Sequence, residues 1–218
     1  QAGKAWSFGY SVAGDLDLDG DRRPDLLIMG QTDHPQGKVY AYSSSGRLLY
    51  AVTGDPTRDL ILPALAGVGD LDRDGVDDFA VGGIGSPSCC AVYLYSGRSG
   101  TPYGTILSPN PREGVGWSVS AAGDVDGDGV PDVATGSSSY GTQGQALLAS
   151  GATLGKLQSW YGTCPLSNPT FGASIAARFD LDRDGVPDTV VGEEGTFREA
   201  PARNRQDFQG SAGKSGHI

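Results

Sequence analysis

Residues 124–132 read DVDGDGVPD, and near-copies stand at 17–25 (DLDGDRRPD), 70–78 (DLDRDGVDD) and 180–188 (DLDRDGVPD). Counted from the first residue of each window, Asp occupies positions 1, 3, 5 and 9 in all four, which takes sixteen of the 26 acidic residues in the chain. The windows begin 53, 54 and 56 residues apart. Carboxylates at this spacing repel one another unless a hard cation sits among them. A fixed period of this length marks a repeat architecture. The chain reads as a repeat protein that folds around calcium.

Within such a loop, side chains at positions 1, 3 and 5 point inward in alternation, and a Gly at position 6 lets the chain turn with positive φ. Position 7 offers its carbonyl, and Asp at position 9 closes the shell. The expected metal ligands are therefore Asp17, Asp19, Asp21, Arg23 and Asp25; Asp70, Asp72, Asp74, Val76 and Asp78; Asp124, Asp126, Asp128, Val130 and Asp132; and Asp180, Asp182, Asp184, Val186 and Asp188. Six or so oxygens suit Ca²⁺ and are too acidic and roomy for zinc. An EF-hand would need Glu at position 12, where Ile28, Val81, Thr135 and Val191 stand instead. Up to four calcium ions are expected. The site at 17–25 is expected to be the weakest, because Arg22 stands at the Gly position and a side chain disfavours positive φ there. Asp-Gly turn chemistry accounts for one such window without a metal, but it does not require four carboxylates in register four times.

Aligning the repeats on the first Asp exposes more of the unit. Ser11, Ala64, Ser118 and Ser174 stand six residues upstream, preceded by Phe8-Gly9, Ile61-Leu62, Val115-Gly116 and Phe171-Gly172. After each window comes a short apolar run ending in Gly30, Gly82, Gly136 or Gly192, too short for a helix and bounded as a strand is bounded. Third strands are expected at 37–42, 90–95 and 144–149, and weaker fourth strands around 48–52, 105–107 and 157–161. Such a four-stranded meander cannot bury both faces alone and must stack on copies of itself. Radial stacking of four-stranded sheets is the β-propeller solution.

These residues resemble FG-GAP repeats, the calcium-binding blades of the integrin α-subunit propeller and of many bacterial secreted and surface proteins. The Phe-Gly pair, the DxDGDGxxD loop, the strand ending in Gly and the later GxVYxY strand carry the likeness, which covers essentially the whole chain. Repeat two departs from it, with Ile61-Leu62 for Phe-Gly and Ala64 for Ser, and the Gly-Ala-Pro half is reduced to its Gly throughout. The resemblance implies an all-β fold of about three and a half blades from a ring of seven, with repeats at 8–60, 61–114, 115–170 and 171–218. The last repeat is expected to be incomplete, with an irregular polar insert at 193–215 and two strands missing. A four-bladed ring, or closure by another chain, is the alternative. The chain begins Gln1-Ala2-Gly3 without an initiator Met or signal peptide and is expected to be a mature or excised piece.

The net charge of −10 comes mostly from the four windows. Four divalent cations would leave roughly −2. Nucleic acid is not an expected partner, because no basic stripe meets phosphates, and no apolar run is long enough to span a bilayer. Cys89, Cys90 and Cys164 permit one disulfide to Cys164 or none. His34 and His217 are the only histidines, so neither HExxH nor a His-based triad is available. Residues 210–215 mimic the end of a phosphate-binding loop, but Phe208 replaces its leading Gly. The resemblance implies an extracellular, secreted or cell-surface, non-catalytic module for adhesion or ligand binding. Its partners would be a protein or glycan, together with missing blades or a neighbouring domain of a parent chain. The alternatives are a scaffold part of a secreted polysaccharide-acting enzyme and a glycan-binding lectin.

Overall fold

A computed structural model describes residues 7–31, 37–54, 59–85, 91–107, 115–137, 144–162, 171–193, 196–200 and 209–211. The apolar run after each Asp window forms the second strand of a sheet, and the residues upstream of the window form the first. The first sheet holds β1 (Ser7–Leu16), β2 (Asp25–Gln31), β3 (Lys38–Tyr42) and β4 (Leu48–Thr53). The second holds β5 (Asp59–Gly69), β6 (Asp78–Gly85), β7 (Ala91–Tyr95) and β8 (Pro102–Leu107). The third holds β9 (Ser118–Gly123), β10 (Asp132–Ser137), β11 (Gln145–Ala149) and β12 (Lys156–Tyr161). The fourth holds β13 (Ser174–Phe179), β14 (Asp188–Glu193), β15 (Thr196–Ala200) and β16 (Gln209–Ser211). Each sheet is an antiparallel meander paired in chain order. The first strands β1, β5, β9 and β13 touch one another in succession. These are β-propeller blades set about a shared inner edge.

The core lies between the blades. Leu27, Met29, Val39 and Ala41 of blade one pack against Phe79 and Val81 of blade two. Val92, Leu94 and Ile106 of blade two meet Val133, Leu147 and Ala149 of blade three. Ala134 and Leu148 of blade three meet Ala177 of blade four, and Ala146 meets Val191. Strands β10 and β11 are buried along their whole length because both faces are covered. The outer strands β4 and β8 are mostly exposed. Each fully buried Leu or Val contributes roughly 1.5–3 kcal/mol over its exposed state, so stability resides in the junctions.

The glycines of the repeat mark where adjacent blades touch by backbone. A Cβ on Gly82 would stand 1.9 Å from the Gly116 carbonyl oxygen, and one on Gly136 would stand 2.0 Å from that of Gly172. Gly116 and Gly172 themselves sit at φ of 103° and 86°, which favours glycine. A register shift interrupts the first-to-second strand ladder just before every loop: at Ala13/Leu16, Gly67/Gly69, Ala121/Gly123 and Ala177/Phe179. Such bulges re-aim the chain, here into the Asp loop.

The fourth repeat corrects the sequence reading. Residues 193–215 are not wholly an irregular insert, and the two strands expected to be missing are present. Thr196–Ala200 pairs with β14 from Glu193↔Thr196 to Thr189↔Ala200, and Gln209–Ser211 pairs with β15. Ladders are made by main-chain groups, which a search for apolar runs at a fixed offset does not detect. The connection from β14 to β15 is also shorter than its counterparts, which moves the third strand forward. Cys89, Cys90, Cys164, His34 and His217 lie outside the described residues.

Candidate metal centres

Each Asp window is the turn between the first and second strands of its blade, so the four loops repeat at one end of the stacked sheets. In every loop the chain passes twice through the left-handed region. At position 4, φ is 81° for Gly20, 62° for Arg73, 80° for Gly127 and 62° for Arg183. At position 6 it is 64° for Arg22, 85° for Gly75, 84° for Gly129 and 88° for Gly185. Sequence reasoning singled out position 6 alone. The strain assigned to Arg22 is shared in kind by Arg73 and Arg183, and only the third loop has Gly at both places.

The carboxylates organise these turns through main-chain donors. The position-6 N–H donates to Oδ2 of the first Asp, at 2.7 Å in Arg22, 2.8 Å in Gly75, 2.9 Å in Gly129 and 3.0 Å in Gly185. The position-7 N–H of Arg23, Val76, Val130 and Val186 donates to Oδ1 of Asp21, Asp74, Asp128 and Asp184 at 2.8–2.9 Å. Loop one thus keeps the frame of the other three despite its Arg-Arg pair. Val76 and Val130 also bury their side chains, while Arg23 is exposed.

Position 9 is a buried hub. Oδ2 of Asp25, Asp78, Asp132 and Asp188 accepts the N–H of Leu18, Leu71, Val125 and Leu181 at 2.8–2.9 Å. In the first three blades Oδ1 also accepts an N–H from the turn joining strands three and four: Ser44 at 2.7 Å, Gly97 at 2.9 Å and Gly151 at 3.0 Å. The sequence signal for this hub was present, since each turn lies 19 residues beyond its Asp.

Three carboxylates converge in every loop. Oxygens of Asp17, Asp19 and Asp25 lie within 4.8 Å of one another, as do those of Asp70, Asp72 and Asp78, of Asp124, Asp126 and Asp132, and of Asp180, Asp182 and Asp188. The position-5 residues Asp21, Asp74, Asp128 and Asp184 do not join these clusters. Asp74 instead pairs with Arg98 Nε at 2.8 Å. In loop one Arg47 lies 3.4 Å from Asp19 Oδ2, a cation leaning on a cluster member.

The electrostatics favour a cation. Burial pushes the Asp78 carboxyl up from the ordinary 3.8; N–H donors from Gly97, Asp72 and Leu71 oppose this, and the Asp72 charge adds to it. Burial likewise raises Asp132, opposed by the Gly151 and Val125 N–H groups and aided by the Asp126 charge. Three converging carboxylates, one buried and pushed toward neutrality, form an all-oxygen donor set that fits a hard divalent ion.

The comparisons with known proteins agree with this geometry. A family profile described as FG-GAP-like repeat matches residues 70–135, and one described as FG-GAP repeat matches residues 8–42. Among curated proteins, mouse integrin alpha-E is 31% identical over 156 residues, covering 60% of this chain and 13% of its own length. Integrin alpha-5 of Xenopus laevis is 28% identical over 219 residues, covering 84% of this chain and 21% of its own. Human integrin alpha-6 is 31% identical over 153 residues, at 63% and 13%. The chain thus spans about a fifth or less of these relatives' length. Among solved structures, a rhamnogalacturonan lyase PL11 from Bacillus licheniformis superposes with a TM-score of 0.59 at 15% identity, covering 88% of this chain and 41% of that one. A chain of the BBS1N–ARL6DN complex soaked with lead gives 0.57 at 17%, covering 92% and 55%. At such identities the structural likeness speaks for the fold alone. With both profiles falling on Asp loops and their flanking strands, the chain carries FG-GAP repeats, and these are integrin alpha-like.

Proposed function

We propose that this chain is a calcium-binding, extracellular FG-GAP propeller module that serves adhesion or ligand binding and carries no catalysis of its own. One observation carries the calcium reading: the same carboxylate triad, from positions 1, 3 and 9, is assembled in four successive blades. Bound calcium would supply the positive charge these oxygens lack. The position-5 carboxylate and position-7 carbonyl of each loop complete the proposed donor set. The chain's own contribution is positional. Asp25, Asp78 and Asp132 each tie the start of their loop to the turn between strands three and four of the same blade, so two strand connections are held at one carboxylate.

The binding role and the extracellular setting rest on the likeness to integrin alpha subunits. The ligand is a protein or a glycan. An ion that binds only the folded state stabilises it by about 2.7 kcal/mol at a hundredfold excess over Kd. The experiment is a calorimetric calcium titration of chelator-stripped protein, with a thermal melt at each end point. Three or four binding events with a large upward shift in melting temperature are expected. No binding with an unchanged melt would reduce the windows to turns and remove the proposal.

A further inference from the structure

In the first three blades strand four begins with a bulge. The ladder to strand three skips one residue there. Leu49 falls between the pairs Tyr42↔Leu48 and Ala41↔Tyr50, Tyr103 between Tyr95↔Pro102 and Leu94↔Gly104, and Leu157 between Ala149↔Lys156 and Leu148↔Gln158. A bulge re-aims a side chain away from the regular pleat. Leu49 joins the apolar packing of the first junction, and Leu157 is 38% exposed. Tyr103 alone of the three carries a donor, and its hydroxyl donates to Oδ2 of Asp78 at 3.1 Å. Among the described residues, Asp78 is the only position-9 acid that receives a side-chain hydroxyl.

This bond fills Asp78 as an acceptor. Its Oδ2 also takes the N–H groups of Leu71 at 2.9 Å and Asp72 at 3.1 Å, and its Oδ1 takes that of Gly97 at 2.9 Å. A carboxylate offers about four lone-pair sites, and these donors together with Tyr103 use them all. On Asp132 the corresponding main-chain donors, from Val125, Asp126 and Gly151, leave one for a cation. Burial, the Asp78 charge and bond, and the charges of Asp72 and Asp70 all raise the ionisation of Tyr103. Its phenol therefore lies within electrostatic reach of the whole carboxylate triad of loop two.

We infer that Tyr103 is a displaceable guard on the second calcium site: its hydroxyl holds a lone pair of Asp78 that the cation needs. The inference rests on the calcium reading above. Calcium enters loop two by driving the phenol off Asp78. Tyr103 is the donor that gives way, because it is 40% exposed and can turn its hydroxyl to water, whereas the Leu71, Asp72 and Gly97 donors are fixed in the main chain. The second site thus binds more weakly than its Asp complement alone would make it, although its window follows the pattern as closely as those of loops three and four.

The test is calcium calorimetry on chelator-stripped parent, Tyr103→Phe and Tyr103→Leu, with a near-ultraviolet difference spectrum recorded at each addition. The Leu variant carries the residue that blades one and three already use at this bulge. Both variants are expected to tighten one site by about tenfold, the worth of one hydrogen bond to a charged acceptor, and to leave the others unchanged. Damage to the fold would loosen a site, so tightening separates displacement from a merely structural role. In the parent the phenol passes from carboxylate to water as that site fills, and the tyrosine band shifts; the variants lack the shift. A parent that binds no calcium at any site removes the calcium reading and this inference together. Calcium binding with every site unchanged or weakened in both variants overturns this inference alone, as does a parent tyrosine spectrum that stays constant while the sites fill.

Discussion

Asp17 and Asp77 are joined twice: the Asp17 N–H donates to Asp77 Oδ2 at 2.8 Å, and the Asp77 N–H donates to the Asp17 carbonyl at 2.9 Å. Asp77 is the position-8 residue of loop two, the place taken by Pro131 and Pro187 in loops three and four. Those prolines lack the N–H and make only an apolar contact. The first Asp of loop one is therefore held by the second loop through polar bonds, whereas later loops lean on one another through a ring.

Asp77→Ala removes the acceptor and leaves the Asp17 N–H without its partner. A charge-assisted bond of this kind contributes about 1.5–3 kcal/mol, and partial exposure places the expected loss at the low end. Chemical denaturation should report it, and the calcium titration should lose affinity at one site while the other sites are unchanged. Asp77→Asn keeps an acceptor oxygen and should retain most of both. Equal loss at all sites would show that Asp77 does not act through Asp17.

Arg22 occupies the left-handed region at φ 64°, where its backbone N–H donates to Asp17 Oδ2 at 2.7 Å. Left-handed backbone costs a residue with a Cβ roughly 1–2 kcal/mol, and a Gly in its place gives part of that back as unfolded-state entropy. Arg22→Gly is expected to stabilise the protein by about 0.5–1 kcal/mol and to tighten the weakest calcium site. A neutral or destabilising result would mean the first loop holds its conformation without strain.

Much of this site was legible because its chemistry is written locally. Positions 1, 3 and 9 converge as the Asp spacing demanded, and the second strands begin at Asp25, Asp78, Asp132 and Asp188, where the apolar runs begin. What escaped was set by neighbours distant in sequence. Position 8 looked incidental, yet Asp77, Pro131 and Pro187 are where one loop meets the next. Position 5 looked equal to positions 1 and 3, yet its carboxylate turns toward its own loop's N–H and, in Asp74, toward Arg98. Strands β15 and β16 escaped because main-chain pairing, not apolar period, defines them.

The position-9 hub separates loss of charge from loss of acceptor. Asp132→Ala leaves the Val125 and Gly151 N–H groups unpaired in a buried place, and each unsatisfied donor costs about 1–3 kcal/mol. Asp132→Asn keeps an acceptor and removes a charge that burial already disfavours. In calcium-free protein Asn should be close to the parent and Ala clearly destabilised, by denaturant melts. With calcium present both should lose the stabilisation that the third site confers. An Asn variant as unstable as Ala without calcium would show that the charge, not the acceptor, holds the loop.

Gly136 tests the backbone contact between blades three and four. A Cβ there would also stand 2.7 Å from Ser118 Oγ, itself bonded to the Gly172 carbonyl at 2.8 Å. Neither backbone can yield without moving a blade, so Gly136→Ala should cost at least the 1–3 kcal/mol typical of overpacking. Gly46→Ala is the control, since nothing lies within 4 Å of a Cβ there and only the φ of 80° is strained. Equal costs at the two positions would deny the close approach its importance.

The first junction carries a phenol that makes stability sensitive to alkali. Tyr50 stacks on Phe79 at 6.5 Å and 19°, and its hydroxyl donates to the Gly97 carbonyl. Burial, then the charges of Asp78 and Asp25, raise its ionisation above the ordinary 10.0. The folded state therefore holds the proton more tightly than the unfolded chain. That stability is fully present below pH 10.0 and is lost as pH climbs from there through the raised value. Tyr50→Phe should cost about 1 kcal/mol at neutral pH, from the lost hydrogen bond, and should flatten the decline in melting temperature above pH 10.0. An alkaline decline as steep in the variant as in the parent would show that other tyrosines carry it and that Tyr50 ionises freely in place.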